Sequence, residues 1–252
     1  MAHVIAFANQ KGGVGKTTTC VNFASYLSLL GFRALLVDFD PQANASSYLG
    51  VIDKKAENTI YSALGGVDIR SCICKTSFNL DFIPSSLDLS AAENELDRAH
   101  NKHFQLDNLL KDVQNDYDFV LIDCAPSINL TLINALCACD EVIITLQCEY
   151  FALEGLNQLL NTLRLVKKHL KPSVEFGGIV LTMFSSRTKI CADVETNIRK
   201  LFGDKVFKSV IPRNVRLSEA PSFHQPIMLY DSKCKGAIAY EKLTKEYICS
   251  KE

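Results

Sequence analysis

The chain has 252 residues, of which 48% are hydrophobic and 22% charged, with a formal net charge of −1 and no low-complexity block. That length and apolar content suit a single α/β domain spanning residues 1–252. The balanced charge excludes an overall field that would draw the protein to nucleic acid or an anionic membrane. Any such binding needs a local patch, or two patches set side by side by dimerisation.

Val4–Ala8 is a short apolar run that predicts a buried strand closed by a glycine loop, with a helix from Lys16 to Leu30 ended at Gly31. Ala34–Val37 predicts a second buried strand and Leu80–Ile83 a weaker one, followed by a long polar helical region from Leu89 to Asn115. Phe119–Ile122 and Val142–Thr145 read as further core strands. Leu156, Leu159, Leu160, Leu163 and Val166 repeat at helical spacing between Leu153 and His169. Gly178–Thr182 predicts another core strand, Lys205–Phe207 the start of one more, and Gly236–Ile248 a last helix. Continuous apolar strands separated by helices predict a mainly parallel twisted sheet covered on both faces.

No apolar run reaches the ~18 residues needed to cross a bilayer. The segment Met1–Ile5 has no basic n-region, so a secretory signal is not expected and a cytoplasmic setting is. Ten cysteines in a reducing compartment argue for packing rather than disulfides. The Cys72/Cys74 and Cys137/Cys139 pairs lack the spacing of usual zinc knuckles. The five histidines are scattered and predict no metal set.

The decisive segment is Gln10-Lys11-Gly12-Gly13-Val14-Gly15-Lys16-Thr17-Thr18, placed between a strand and a helix as a phosphate-binding loop requires. Its glycines let backbone N–H groups, Val14 included, curl around a polyphosphate, and the helix N-terminus adds partial positive charge. Lys16 is expected on the β- and γ-phosphates of ATP, Thr17 on Mg²⁺ and Thr18 on the α-phosphate. Three carboxylates end apolar strands: Asp38 and Asp40, which share a side if the extended geometry persists, and Asp123. Strand ends of open α/β sheets face the ligand crevice, and Asp123 there can hold the magnesium shell through water.

Gln10 stands where the usual loop has its first glycine, and Lys11 is an additional lysine. This pattern resembles the deviant Walker loop of the ParA, MinD and nitrogenase iron-protein group. Asp123-Cys124-Ala125-Pro126-Ser127 is similar to that group's D-x-P-P-S switch, with Ala125 in place of the first proline. The stretch Gln147–Leu156 and the segment Ile211-Pro212-Arg213-Asn214-Val215-Arg216-Leu217-Ser218-Glu219-Ala220-Pro221-Ser222 resemble signatures of the ParA/Soj family of DNA-partitioning ATPases. The resemblance covers nearly the whole chain.

The resemblance implies a P-loop ATPase in which Lys11 reaches across a homodimer to the partner's nucleotide. It also implies that Asp40 orients the attacking water, that Asp38 supports Mg²⁺ through water, and that Pro212 and Asn214 lie at the base. It further implies nonspecific binding of double-stranded DNA by an ATP-bound sandwich dimer on the nucleoid. A ParB-type centromere-binding partner would stimulate hydrolysis and release. Candidate DNA-contacting residues are Arg187, Arg213, Arg216, Lys233, Lys235 and Lys242.

Two other classes share the loop. A MinD-like membrane-associated ATPase needs a basic amphipathic C-terminal helix, whereas Tyr240–Cys249 mixes acids with lysines and has few large apolar residues, so no membrane partner is expected. An iron-protein-like electron carrier needs bridging cysteines, for which Cys124, Cys137 and Cys139 are the candidates.

Overall fold

The computed structural model describes residues 1–51, 58–149 and 152–251. Seven strands form one sheet: β1 (His3–Ala8), β2 (Ala34–Phe39), β3 (Cys74–Lys75), β4 (Leu80–Ile83), β5 (Phe119–Cys124), β6 (Glu141–Gln147) and β7 (Glu175–Thr182). Their order is β3-β4-β2-β5-β1-β6-β7, parallel throughout except for the short edge strand β3.

The first helices are α1 (Lys16–Leu29), α2 (Asn44–Tyr48), α3 (Ile60–Leu64), α4 (Ala92–Arg98) and α5 (Gln105–Lys111). They are followed by α6 (Leu130–Ala138), α7 (Ala152–His169), α8 (Lys189–Phe202), α9 (Val215–Glu219), α10 (Ile227–Tyr230) and α11 (Lys235–Cys249).

Alternation along each strand divides the interior into two cores. Val4, Ala6 and Ala8 face one side, with Val37, Ile122 and Ile144, and are covered by residues of α3 to α8. Ile5 and Phe7 face the other, with Leu36, Leu121 and Ile143, against α1, α2 and the three helices α9 to α11. Both faces are apolar because both are covered, which is why the strands read as continuous hydrophobic runs. Seven of the ten cysteines are buried and none is in a disulfide among the described residues, so most serve as small core residues.

Two expectations change. The helix predicted over Leu89–Asn115 is broken into a 3₁₀ turn (Leu87–Ala91), α4, α5 and a second 3₁₀ turn (Gln114–Asp116). Asn101 takes a left-handed φ of 59°, and the buried Asn134 carboxamide of α6 accepts the Gln105 and Leu106 amides at 3.0 and 3.3 Å, starting a new helix there.

The strand predicted at Lys205–Phe207 is instead a 3₁₀ turn (Gly203–Lys205) and one isolated parallel bridge, Ile179 to Val206. Side chains take up much of this backbone's hydrogen bonding. Arg199 donates to the Val206 and Phe207 carbonyls, and Glu246 accepts the Lys208 and Ser209 amides at 2.6 and 2.8 Å.

Candidate nucleotide site

The loop between β1 and α1 lies at the C-terminal edge of the sheet, where open α/β sheets bind ligands. Gly13 and Gly15 have φ of 74° and 81°, a region that costs any other residue about 1 kcal/mol or more. Gly15 is also the N-cap of α1, so the helix opens on the loop without a side chain in the way. Behind the loop, Thr182 of β7 donates to the Val14 carbonyl at 2.7 Å, and Asn9 donates to the Thr145 carbonyl at 2.5 Å.

Strand parity explains the charges beneath it. Asp38 and Asp123 are register neighbours on β2 and β5. They share the parity of Leu36 and Leu121, and therefore the face against which α1 packs. The first residue of α1, Lys16, is only 6% exposed, with its ammonium 2.9 Å from Asp123 Oδ1 and 4.0 Å from Asp40 Oδ2.

Burial alone would lower the Lys16 pKa. The charge and hydrogen bond of Asp123 outweigh that and hold it above the usual lysine range. Burial and the neighbouring Asp123 push the Asp38 carboxyl up to about 7, although bonds from Ser46 and the Asp40 amide pull the other way. Asp40 is also raised by burial, against the Gln42 amide and Lys16.

A cleft of about 430 Å³ is lined by Lys11, Gly12, Gly13, Gly15, Lys16, Thr17, Thr18 and Asp40. A second cleft of about 510 Å³, lined by Pro212, Arg213, Asn214 and Tyr240, shares Gly15, Thr18, Met183 and Pro221 with the first. The phosphate loop and the Pro-Arg-Asn segment, about 200 residues apart in the chain, thus form one continuous groove. Asn214 caps α9 by accepting the Arg216 amide at 2.8 Å through its side-chain oxygen. Asn44, Ser47 and Tyr48 of α2 also line the phosphate end. The polar run after Asp40-Pro41 was the only sequence signal for them.

Lys11 is 50% exposed at the side chain and bridges Glu149 of its own chain at 2.5 Å. Of the 147–156 stretch, Tyr150 and Phe151 lie outside the described residues. Lys235 and Lys242 on α11 line a shallow, largely apolar groove together with Lys208, which sequence reasoning missed. Arg187 and Lys233 are exposed on separate loops, and Arg213 is exposed at the second cleft. Arg216 is engaged locally by Glu219 at 2.9 Å and Asp231 at 3.5 Å.

The additional lysine beside a loop of this geometry sets the class: this is a P-loop ATPase of the deviant Walker kind. Residues 2–176 match the AAA domain family. The chain is 50% identical over 248 residues to the sporulation initiation inhibitor protein Soj of Bacillus subtilis (strain 168), an alignment that covers 98% of each chain. It is 47% identical over 250 residues to the chromosome-partitioning ATPase Soj of Treponema pallidum (strain Nichols), again covering 98% of each. Among solved structures, cobyrinic acid a,c-diamide synthase from Mycobacterium smegmatis with bound ADP and magnesium superposes with a TM-score of 0.86 at 33% identity. That match covers 97% of this chain and 93% of the other. The chain belongs to the ParA/Soj family of P-loop ATPases.

Proposed function

We propose that this protein is a DNA-partitioning ATPase, built as one nucleotide-binding domain, that binds ATP with Mg²⁺ in the groove between the glycine loop and Pro212–Asn214. The observation that carries this reading is the buried Lys16 ammonium on Asp123 beneath a glycine loop with an exposed lysine, Lys11, at its mouth. A buried cation there meets the β- and γ-phosphates, while loop amides from Gly12 to Thr18 surround the chain of phosphates.

The donor set fits magnesium. Asp123 Oδ2 is buried and unpartnered, Asp38 lies beside it, and the Thr17 hydroxyl is at the start of α1. When bound, the ion neutralises charge that develops on the phosphate oxygens. Asp40 faces the same cleft and orients water for attack on the γ-phosphorus, as the bond to the bridging oxygen breaks.

ATP closes a sandwich homodimer in which each Lys11 reaches the partner's nucleotide. The dimer binds double-stranded DNA without sequence preference, through arginines and lysines drawn from Arg187, Arg213, Arg216, Lys233, Lys235 and Lys242. A ParB-type centromere-binding partner stimulates hydrolysis and release, and the protein works in the cytoplasm on the nucleoid. Tyr240, Leu243 and Tyr247 of α11 are buried against the sheet and α1, which leaves Ile238 as the large apolar side chain exposed on that helix among the described residues.

The test is co-sedimentation with nonspecific DNA, with and without ATP. Wild type is expected to bind only with ATP, Lys16→Ala not at all, and Asp40→Ala to bind but fail to turn over. Binding should weaken steeply with salt, because phosphate contacts release counterions. ATP-independent or salt-insensitive binding would contradict the reading.

A further inference from the structure

We propose that Ser46 is a positioning residue for hydrolysis, holding the Asp40 loop in place through the Asp38 carboxylate. The inference rests on the reading of Asp40 as the group that orients water.

Ser46 is fully buried on α2. Its backbone amide and its hydroxyl both donate to Asp38 Oδ2, at 2.8 and 2.7 Å. The same hydroxyl accepts the Ser85 amide at 2.9 Å, just beyond β4. On the other oxygen, Asp38 Oδ1 accepts the Asp40 amide at 3.2 Å.

One carboxylate therefore ties both ends of the loop that carries Asp40. Within that loop the Gln42 amide donates to Asp40 Oδ1 at 2.9 Å, and the Ala43 amide to the Asp40 carbonyl at 2.9 Å. Ala43 itself is held at φ 51°, a left-handed conformation that persists in a non-glycine residue only where surroundings enforce it. The Ser46 hydroxyl links three segments: the end of β2, the start of α2 and the residues after β4.

Removing the hydroxyl strips one of two donors from Asp38 Oδ2 and leaves the buried Ser85 amide without its acceptor. The glycine loop, Lys16 and Asp123 keep their own contacts, and the Ser46 and Asp40 amides still hold Asp38, so nucleotide binding is spared. What loosens is the placement of Asp40, and an error of that kind appears in kcat rather than in ground-state affinity.

The experiment compares wild type, Ser46→Ala, Ser46→Thr, Asp40→Asn and the double variant Ser46→Ala/Asp40→Asn. Steady-state and single-turnover ATP hydrolysis are measured, together with affinity for a fluorescent ATP analogue. Ser46→Ala should lower kcat about tenfold with ATP affinity within about twofold, and Ser46→Thr should recover most of the loss. The double variant should be no slower than Asp40→Asn alone, because Ser46 acts through Asp40.

A wild-type kcat in Ser46→Ala beside an inactive Asp40→Asn overturns the Ser46 assignment alone. So does a double variant that is slower by the full product of the single effects. Normal hydrolysis by Asp40→Asn overturns the reading of Asp40 itself, and this inference with it. If Ser46→Ala does not fold, Ser46→Cys carries the test: a lower kcat at unchanged ATP affinity supports the role, and a wild-type kcat or a joint loss of both contradicts it.

Discussion

Lys11 and Glu149 are joined within one chain by a 2.5 Å salt bridge, with Gln147 donating to the other oxygen of Glu149 at 2.6 Å. The lysine proposed to cross to a partner's nucleotide is therefore engaged at home in the isolated chain. Both side chains are about half exposed. Such pairs contribute about 0–1 kcal/mol, so the bridge is a resting place rather than a lock.

Glu149→Gln should accordingly change self-association with a non-hydrolysable ATP analogue by less than about fivefold, as measured by analytical ultracentrifugation. A shift of two orders of magnitude would mean that Glu149 does more than park Lys11.

Glu141 predicts an acid-sensitive element at the opposite edge of the sheet. Burial would raise its carboxyl, but His3, Lys251 and Tyr247 all bond to it and hold it at about 2, below the usual 4.5. A depressed carboxyl contributes fully above about pH 4.5 and loses that contribution as pH falls towards 2. At about 1.4 kcal/mol per pH unit, the loss over the whole interval is on the order of 3 kcal/mol. Urea melts at pH 7, 4.5 and 3 should show wild type losing stability faster than Glu141→Gln over the lower interval. Equal slopes would rule the element out.

Asn134 is the least obvious stability determinant. It is fully buried, accepts the first amides of α5 and donates to the Lys102 and Leu130 carbonyls at 2.8 and 3.0 Å. Asn134→Ala should cost about 2–3 kcal/mol in chemical denaturation, because it removes a helix cap and strands buried polar groups. A cost below about 0.5 kcal/mol would mean that water replaces the carboxamide.

The glycines of the phosphate loop are not equivalent. Gly15 needs its left-handed φ, whereas Gly12 has no positive φ and nothing within 4 Å of an added Cβ. Gly15→Ala should lower stability by about 1 kcal/mol or more, and Gly12→Ala should leave the melting temperature nearly unchanged. Similar melting temperatures for the two variants would contradict this.

The strands of the parallel core were legible because burial on both faces leaves a continuous apolar run, and Val4–Ala8 and Phe119–Ile122 need no context to be read. The glycine loop was legible for a different reason: its backbone demands small residues at fixed spacing.

What escaped were features decided by distant side chains. Asn134 breaks a helix more than 20 residues upstream, Arg199 takes the Val206 and Phe207 carbonyls that a strand at Lys205–Phe207 would have used, and Glu246 takes the Lys208 and Ser209 amides that would have extended it. Ser46 reads as an unremarkable small polar residue until β2 and β4 are placed side by side. The same holds for Lys208, which gains meaning only when the chain before Pro212 is folded against α11.

Whether the glycine loop and Lys16 hold Mg²⁺-ATP is decided by titration calorimetry of ATP into the purified protein, with Mg²⁺ and with EDTA, alongside Lys16→Ala. Wild type should bind saturably, with affinity that weakens markedly without the metal, and the lysine variant should not bind. Wild-type protein that takes up no heat with Mg²⁺ and ATP, or a Lys16→Ala variant that binds equally well, would contradict that expectation.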